Sequence, residues 1–171
     1  MRQLEGLAVP YDVAAPIGDR SGAVAFIETI APGCFADAKP GLPLMSWHER
    51  QIFPLGVIDE LHEEDDGLHL TATLTSGSRH AGDAWAHIRD GSLGALSVGF
   101  KPVVSDWCMG TDGSPTTVRR VRAQLVEVSV VPVPAYPSAR ISKRTDSDAA
   151  TPHADELVNW LVGARRPAYA R

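Results

Sequence analysis

Three residues in this chain have the types needed for nucleophilic chemistry: Ser97, His48 and Glu127. A serine hydroxyl is a weak nucleophile near neutral pH and needs a base to take its proton. Imidazole suits that work. A carboxylate behind the ring fixes its tautomer and stabilises the imidazolium. Ser97 lies among Leu96, Val98 and Phe100, His48 closes Leu42-Pro43-Leu44-Met45-Ser46-Trp47-His48, and Glu127 is the only acid within the apolar run 125–133. Taken singly, each has a plainer structural reading: a buried serine bonded to backbone, a histidine at a strand end, a glutamate on an edge. Spacing alone does not bring the three together.

The elements that would position them read mostly as strands. Residues 2–11, 23–30 and 42–47 form the first three, and 12–22 reads as a loop. Ile52–Leu61 and Leu68–Thr75 pair as a hairpin, with Asp66-Gly67 as the turn signal. Leu68, Leu70, Ala72 and Leu74 alternate with His69, Thr71, Thr73 and Thr75, the mark of a sheet with one wet face. Within 78–90 the period changes, and Ala81, Ala84, Trp85 and Ile88 form a helical stripe that stops at Gly91. Strands follow at 93–104 and 118–133, separated by a polar loop at 105–117. Segment 142–152 has linker composition, and 153–171 carries a weak helical stripe of Leu157, Trp160, Leu161 and Ala164. The expected fold is mainly β with few helices, a small closed β-barrel spanning 1–141, with one helix before the serine strand.

Composition narrows the function. The chain has 171 residues, enough for one core without disulfides, and a net charge of -5. That charge gives no basic field for nucleic acid or an anionic membrane. No apolar run reaches membrane-spanning length, and no basic-then-apolar leader opens the sequence, so a soluble, unsecreted protein is expected. Cys34 and Cys108 form no CxxC pair and read as free thiols, with one disulfide between them as the alternative. His62, Glu63, Glu64 and His69 have metal-ligating types, but they straddle a turn where such residues are commonly solvated. His80 and His87 read as surface residues. No metal or cofactor is expected. The esterase elbow GxSxG is absent, since Ala95 stands where its first glycine belongs.

Residues 4–141 resemble the prohead maturation protease family of tailed bacteriophages. The resemblance lies in ordered blocks: Gly6-x-Ala8-x-x-Tyr11, Glu28-x-Ile30-x-Pro32-Gly33-Cys34-Phe35, Leu44-x-x-x-His48-Glu49, and Asp66-Gly67-Leu68. Gly91-x-Leu93-x-x-Leu96-Ser97-Val98-Gly99-Phe100 and Leu125-x-Glu127-Val128-Ser129-Val130-Val131-x-x-Pro134-Ala135 complete it. The resemblance implies a β-barrel like that of herpesvirus assemblin, and a serine endopeptidase that cuts scaffold or capsid precursor protein inside the immature capsid in the host cytoplasm. It carries over His48 as base, Ser97 as nucleophile and Glu127 as the group orienting His48; the herpesvirus relatives use a second histidine in that third role. A homodimer or higher oligomer is also in keeping with those relatives.

The chain departs from the family pattern at Trp47-His48-Glu49, where Asn-His-Asp is common, and at Cys34 within Gly33-Cys34-Phe35. Arg119-Arg120 and Arg140 are candidates for holding an oxyanion loop, although ordinary surface arginines are the plainer reading. The linker at 142–152 is a candidate for self-cleavage. Two other readings stand beside the peptidase: a catalytically silent capsid-assembly or structural β-barrel, and a small barrel binding module unrelated to phages.

Overall fold

The computed structural model describes residues 2–18 and 24–144. Nine strands and one helix follow in the order β1 (Gln3–Pro10), β2 (Ala15–Gly18), β3 (Val24–Ile30), β4 (Pro43–Ser46), β5 (Gly56–Glu64), β6 (Gly67–Leu74), α1 (Arg79–Asp90), β7 (Ala95–Cys108), β8 (Thr117–Val131) and β9 (Arg140–Lys143). Seven of the strands close on themselves as β8-β4-β5-β6-β1-β9-β7 and back to β8, making a barrel with no free wall. β3 joins the first part of β8 in parallel, and β2 lies antiparallel to β3.

The alternating pattern of β6 is realised as expected. Leu68, Leu70, Ala72 and Leu74 are buried in the core, and His69, Thr71 and Thr73 are half-buried on the opposite face. Leu4 and Val9 of β1, Leu44 of β4, Ile58 of β5, Leu96 of β7 and Val128 and Val130 of β8 complete the barrel interior. Helix α1 spans the gap between β6 and β7. Its Ser78 hydroxyl accepts the Ala81 N–H at 3.3 Å, and Gly91 closes it in the left-handed conformation at φ 82°. The stripe Ala81, Ala84 and Ile88 then faces the core.

Several expectations are corrected by pairing that sequence pattern does not report. The expected loop 12–22 contains β2, whose Pro16 is tolerated because β2 is an edge strand. The expected loop 105–117 begins as strand, since β7 runs to Cys108 with Trp107 opposite Val118. His62, Glu63 and Glu64 belong to β5, leaving a two-residue turn at Asp65-Asp66. Ser142 and Lys143, expected in the linker, continue β9 opposite Glu5 and Leu4, and the Arg144 N–H bonds the Gln3 carbonyl at 3.0 Å. A polar segment becomes strand here because β1 offers it an unpaired edge. The remainder of the linker and the tail expected at 153–171 lie outside the described residues. His80, expected at the surface, is half-buried with its Nε2 enclosed and without a hydrogen-bond partner.

Both cysteines are free; Cys34 is buried and Cys108 exposed. Burial, with Glu63 and Glu28 nearby, pushes the Cys34 thiol up to about 11. The thiolate is the species that reacts. Iodoacetamide at pH 8 should therefore alkylate Cys34 in the folded chain at least ~10²-fold more slowly than in urea, while Cys108 reacts readily in both, as peptide mass mapping would read.

Candidate active site

The site is built on β8, the strand between β4 and β7. In the antiparallel ladder Ser97 lies opposite Ser129, and Gly99 opposite Glu127. Residues directly opposite share a face, as do residues two apart on one strand. Leu96, Val128 and Val130 point into the core, so Ser97, Gly99, Glu127 and Ser129 share the outer face. On the other side of β8, β4 runs parallel, with Met45 opposite Ser129 and Ser46 opposite Val130.

After Ser46 the chain leaves the sheet in a tight turn. Trp47 at φ 50° and His48 at φ 57° both adopt the left-handed conformation, which is uncommon for residues with a Cβ and frequent at functional sites. Three bonds hold the turn. The Trp47 N–H donates to the Val130 carbonyl at 3.1 Å, the Glu49 N–H to the Ser46 carbonyl at 2.9 Å, and the His48 N–H to the Ser129 hydroxyl at 2.9 Å. The turn brings the imidazole back over β8 toward β7.

The ring then bridges the other two candidates. His48 Nε2 lies 2.9 Å from Ser97 Oγ, and Nδ1 lies 2.6 Å from Glu127 Oε1. A carboxylate next to Nδ1 assigns the proton to that nitrogen and leaves the Nε2 lone pair facing the hydroxyl. Glu127 is buried while the His48 side chain is 41% exposed, so the acid is enclosed and the imidazole edge is open to solvent. Both Glu127 oxygens are satisfied, because Oε2 accepts from the Ser129 hydroxyl at 2.8 Å. Such a chain of contacts can pass a proton from hydroxyl to imidazole and stabilise the cation formed.

Sequence reasoning named Ser97, His48 and Glu127, and the fold brings all three together. It missed Ser129 and Gly99. Their signal was period-two spacing, Ser129 two beyond Glu127 and Gly99 two beyond Ser97, which on a strand means a shared face. Gly99 is there for space: a Cβ would come within 2.0 Å of Glu127 Oε1. Gly99→Ala should therefore displace the carboxylate from Nδ1 and slow reaction of Ser97 by about 10²-fold, the usual effect of an ångström-scale misplacement. The rate of labelling by a fluorophosphonate measures this directly.

Apart from Arg140, opposite Ala95 two residues before Ser97, the other candidates disperse. His69 turns to Asp66 at 2.8 Å, His62 to Glu60 at 3.4 Å, and Glu63 accepts the Tyr11 hydroxyl at 2.9 Å. Glu64, Asp66 and His69 each offer a ligand atom within 4.8 Å of the others at the hairpin tip, two of them exposed. Arg119 pairs with Asp12, and Arg140 sits opposite Ala95 on β9. Arg120, expected at the surface, is buried and bonded to Glu28 at 2.7 Å and to Ser105 at 3.1 Å, well beyond Ser97 along β7. Among the described residues no helix is long and apolar enough to cross a membrane.

Comparison with known proteins gives this site a context. Over 138 residues the chain is 29% identical to the prohead protease of Enterobacteria phage HK97, covering 78% of this chain and 60% of that protein. It is 28% identical over 138 residues to the major capsid protein of Halomonas phage phiHAP-1, covering 75% of this chain and 22% of that protein. The chain thus spans about three-fifths or less of the curated relatives it matches. Among solved structures, the protease of Kaposi's sarcoma herpesvirus in complex with a hexapeptide phosphonate inhibitor is similar at a TM-score of 0.49 and 13% identity, covering 96% of this chain and 77% of that one. The same protease with an allosteric inhibitor gives 0.48 and 12%, covering 99% and 94%. A model of the caudovirus prohead serine protease family matches residues 2–153, a span that takes in every strand of the barrel and all five residues of the site, and the chain belongs to that family.

Proposed function

We propose that the chain is a serine endopeptidase that cleaves scaffold or capsid precursor protein inside the immature capsid. The observation that carries the reading is the imidazole of His48 held between Ser97 Oγ at 2.9 Å and Glu127 Oε1 at 2.6 Å. Family membership and the two phage relatives, a prohead protease and a major capsid protein, support the choice of substrate.

The proposed mechanism uses only these groups. Ser97 Oγ attacks the scissile carbonyl carbon as His48 Nε2 takes its proton, and the carbonyl π electrons move to oxygen. His48 then gives the proton to the leaving amine as the C–N bond breaks, leaving an ester on Ser97. Water repeats the cycle: His48 removes its proton, the ester bond breaks, and Ser97 recovers its hydrogen. Glu127 accepts Nδ1–H throughout and offsets the charge of the imidazolium. Trp47, 55% exposed beside His48, offers the substrate an apolar wall.

A silent barrel kept for capsid assembly alone has no need of a histidine bonded on both sides, and the geometry favours the enzyme over it. The test is covalent labelling with a fluorophosphonate followed by peptide mapping, together with cleavage of the capsid precursor by purified chain. The expected result is one adduct, on Ser97, and an intact adduct-free profile in heat-denatured protein. A folded chain that takes no label at Ser97 and leaves the precursor whole overturns the reading.

A further inference from the structure

We infer that Ser129 is a positioning residue that ties the backbone of His48 and the carboxylate of Glu127 into one unit, an assignment that rests on the peptidase reading above. Its residue is completely buried, and its hydroxyl acts both as donor and as acceptor. It donates its single hydrogen to Glu127 Oε2 at 2.8 Å and accepts the His48 N–H at 2.9 Å. One oxygen atom thus joins two members of the proposed catalytic set through bonds other than the one they make with each other.

Its place in the sheet explains why. Ser129 is on the middle strand of three, opposite Ser97 on β7 and opposite Met45 on β4. It is therefore level with the nucleophile on one side and next to the strand that delivers the imidazole on the other.

Each of its two bonds restrains something otherwise loose. The terminal torsion of a glutamate is broad, so a carboxylate held at one oxygen can swivel. The Ser129 donor fixes Oε2 and so aims Oε1 at Nδ1. The left-handed pair Trp47-His48 has little intrinsic preference for its conformation, and the Ser129 acceptor is one of three bonds that hold it. A serine kept only to satisfy a buried backbone N–H would need no bond to the carboxylate. Here the hydroxyl makes both.

The measurement is a double-mutant cycle read by the second-order rate of fluorophosphonate labelling at Ser97. Ser129→Ala should keep the far-ultraviolet dichroism of the wild type and slow labelling by about 10- to 100-fold, as loosened catalytic geometry does. In a Glu127→Ala background the same change should slow labelling severalfold less than in the wild type, because only its bond to the His48 N–H is then left to lose. The His48 Nδ1 proton resonance should also move upfield in Ser129→Ala, a change that general loosening of the barrel wall does not produce. Equal slowing in both backgrounds, or labelling at the wild-type rate in Ser129→Ala, overturns the inference. Should Ser129→Ala fail to fold, Ser129→Cys, nearly equal in volume and a weaker donor, carries the same cycle with the same two outcomes. The peptidase reading fails separately, through a Ser97→Ala protein that still takes the label.

Discussion

Ser97→Ala protein should fold as the wild type does and lose precursor cleavage by a factor on the order of 10⁶, the scale seen when a triad nucleophile is removed. The substitution deletes one half-buried hydroxyl and its contact with His48 Nε2. A lost hydrogen bond of this kind costs about 1 kcal/mol, so the melting curve should move by only a few degrees. His48→Ala should lower the rate by a similar factor, and the double variant should be no slower than either single one. That failure to add is the signature of groups acting in one step. Gel analysis of purified precursor with each variant reads all three rates. Cleavage by Ser97→Ala at the wild-type rate would falsify the nucleophile.

Arg120→Ala should act in the opposite way, on stability first. The guanidinium is buried, bonds Glu28 at 2.7 Å, and lies 5.3–5.9 Å from the centroids of Trp107, Phe26 and Phe100. Glu28 is buried too and also accepts the Tyr136 hydroxyl at 3.1 Å. Burial and that carboxylate hold the Tyr136 phenol well above the ordinary phenol range. Removing Arg120 leaves a buried carboxylate without its cation, a change that costs about 3–5 kcal/mol. Thermal unfolding should fall by roughly 10 °C for a domain of this size. Replacing both partners, Arg120→Met with Glu28→Leu, should recover most of the loss, since a buried pair and apolar residues of similar volume are often near equal. A double variant as unstable as Arg120→Ala alone counts against the ion pair as the cause.

The sequence made some features legible and hid others, for identifiable reasons. The β5–β6 hairpin and α1 could be read because each carries its own period and stop signal, Asp66-Gly67 in one and Ser78 with Gly91 in the other. β2 and β9 could not, because each holds a single large apolar residue, Ile17 or Ile141, among proline, glycine or polar residues and is strand only through its partner. Arg120 was unreadable for a related reason: nothing local distinguishes an arginine in water from one facing a glutamate ninety-two positions earlier. The types of Ser97, His48 and Glu127 were plain in the sequence, and their meeting was not. It depends on β4 and β7 flanking β8, which is a matter of topology. Ser129 and Gly99 were a further step away, since their parts follow from cross-strand register.

The position of β8 between its two neighbours has a temporal consequence. His48 lies 79 positions from Glu127 and 49 from Ser97, so the two contacts of its ring join distant parts of the chain. Chains ruled by such contacts fold slowly and nearly all at once. On the proposed reading, a growing or half-assembled chain has no cutting edge to turn on its neighbours, and the onset of proteolysis is timed by the last strand to dock.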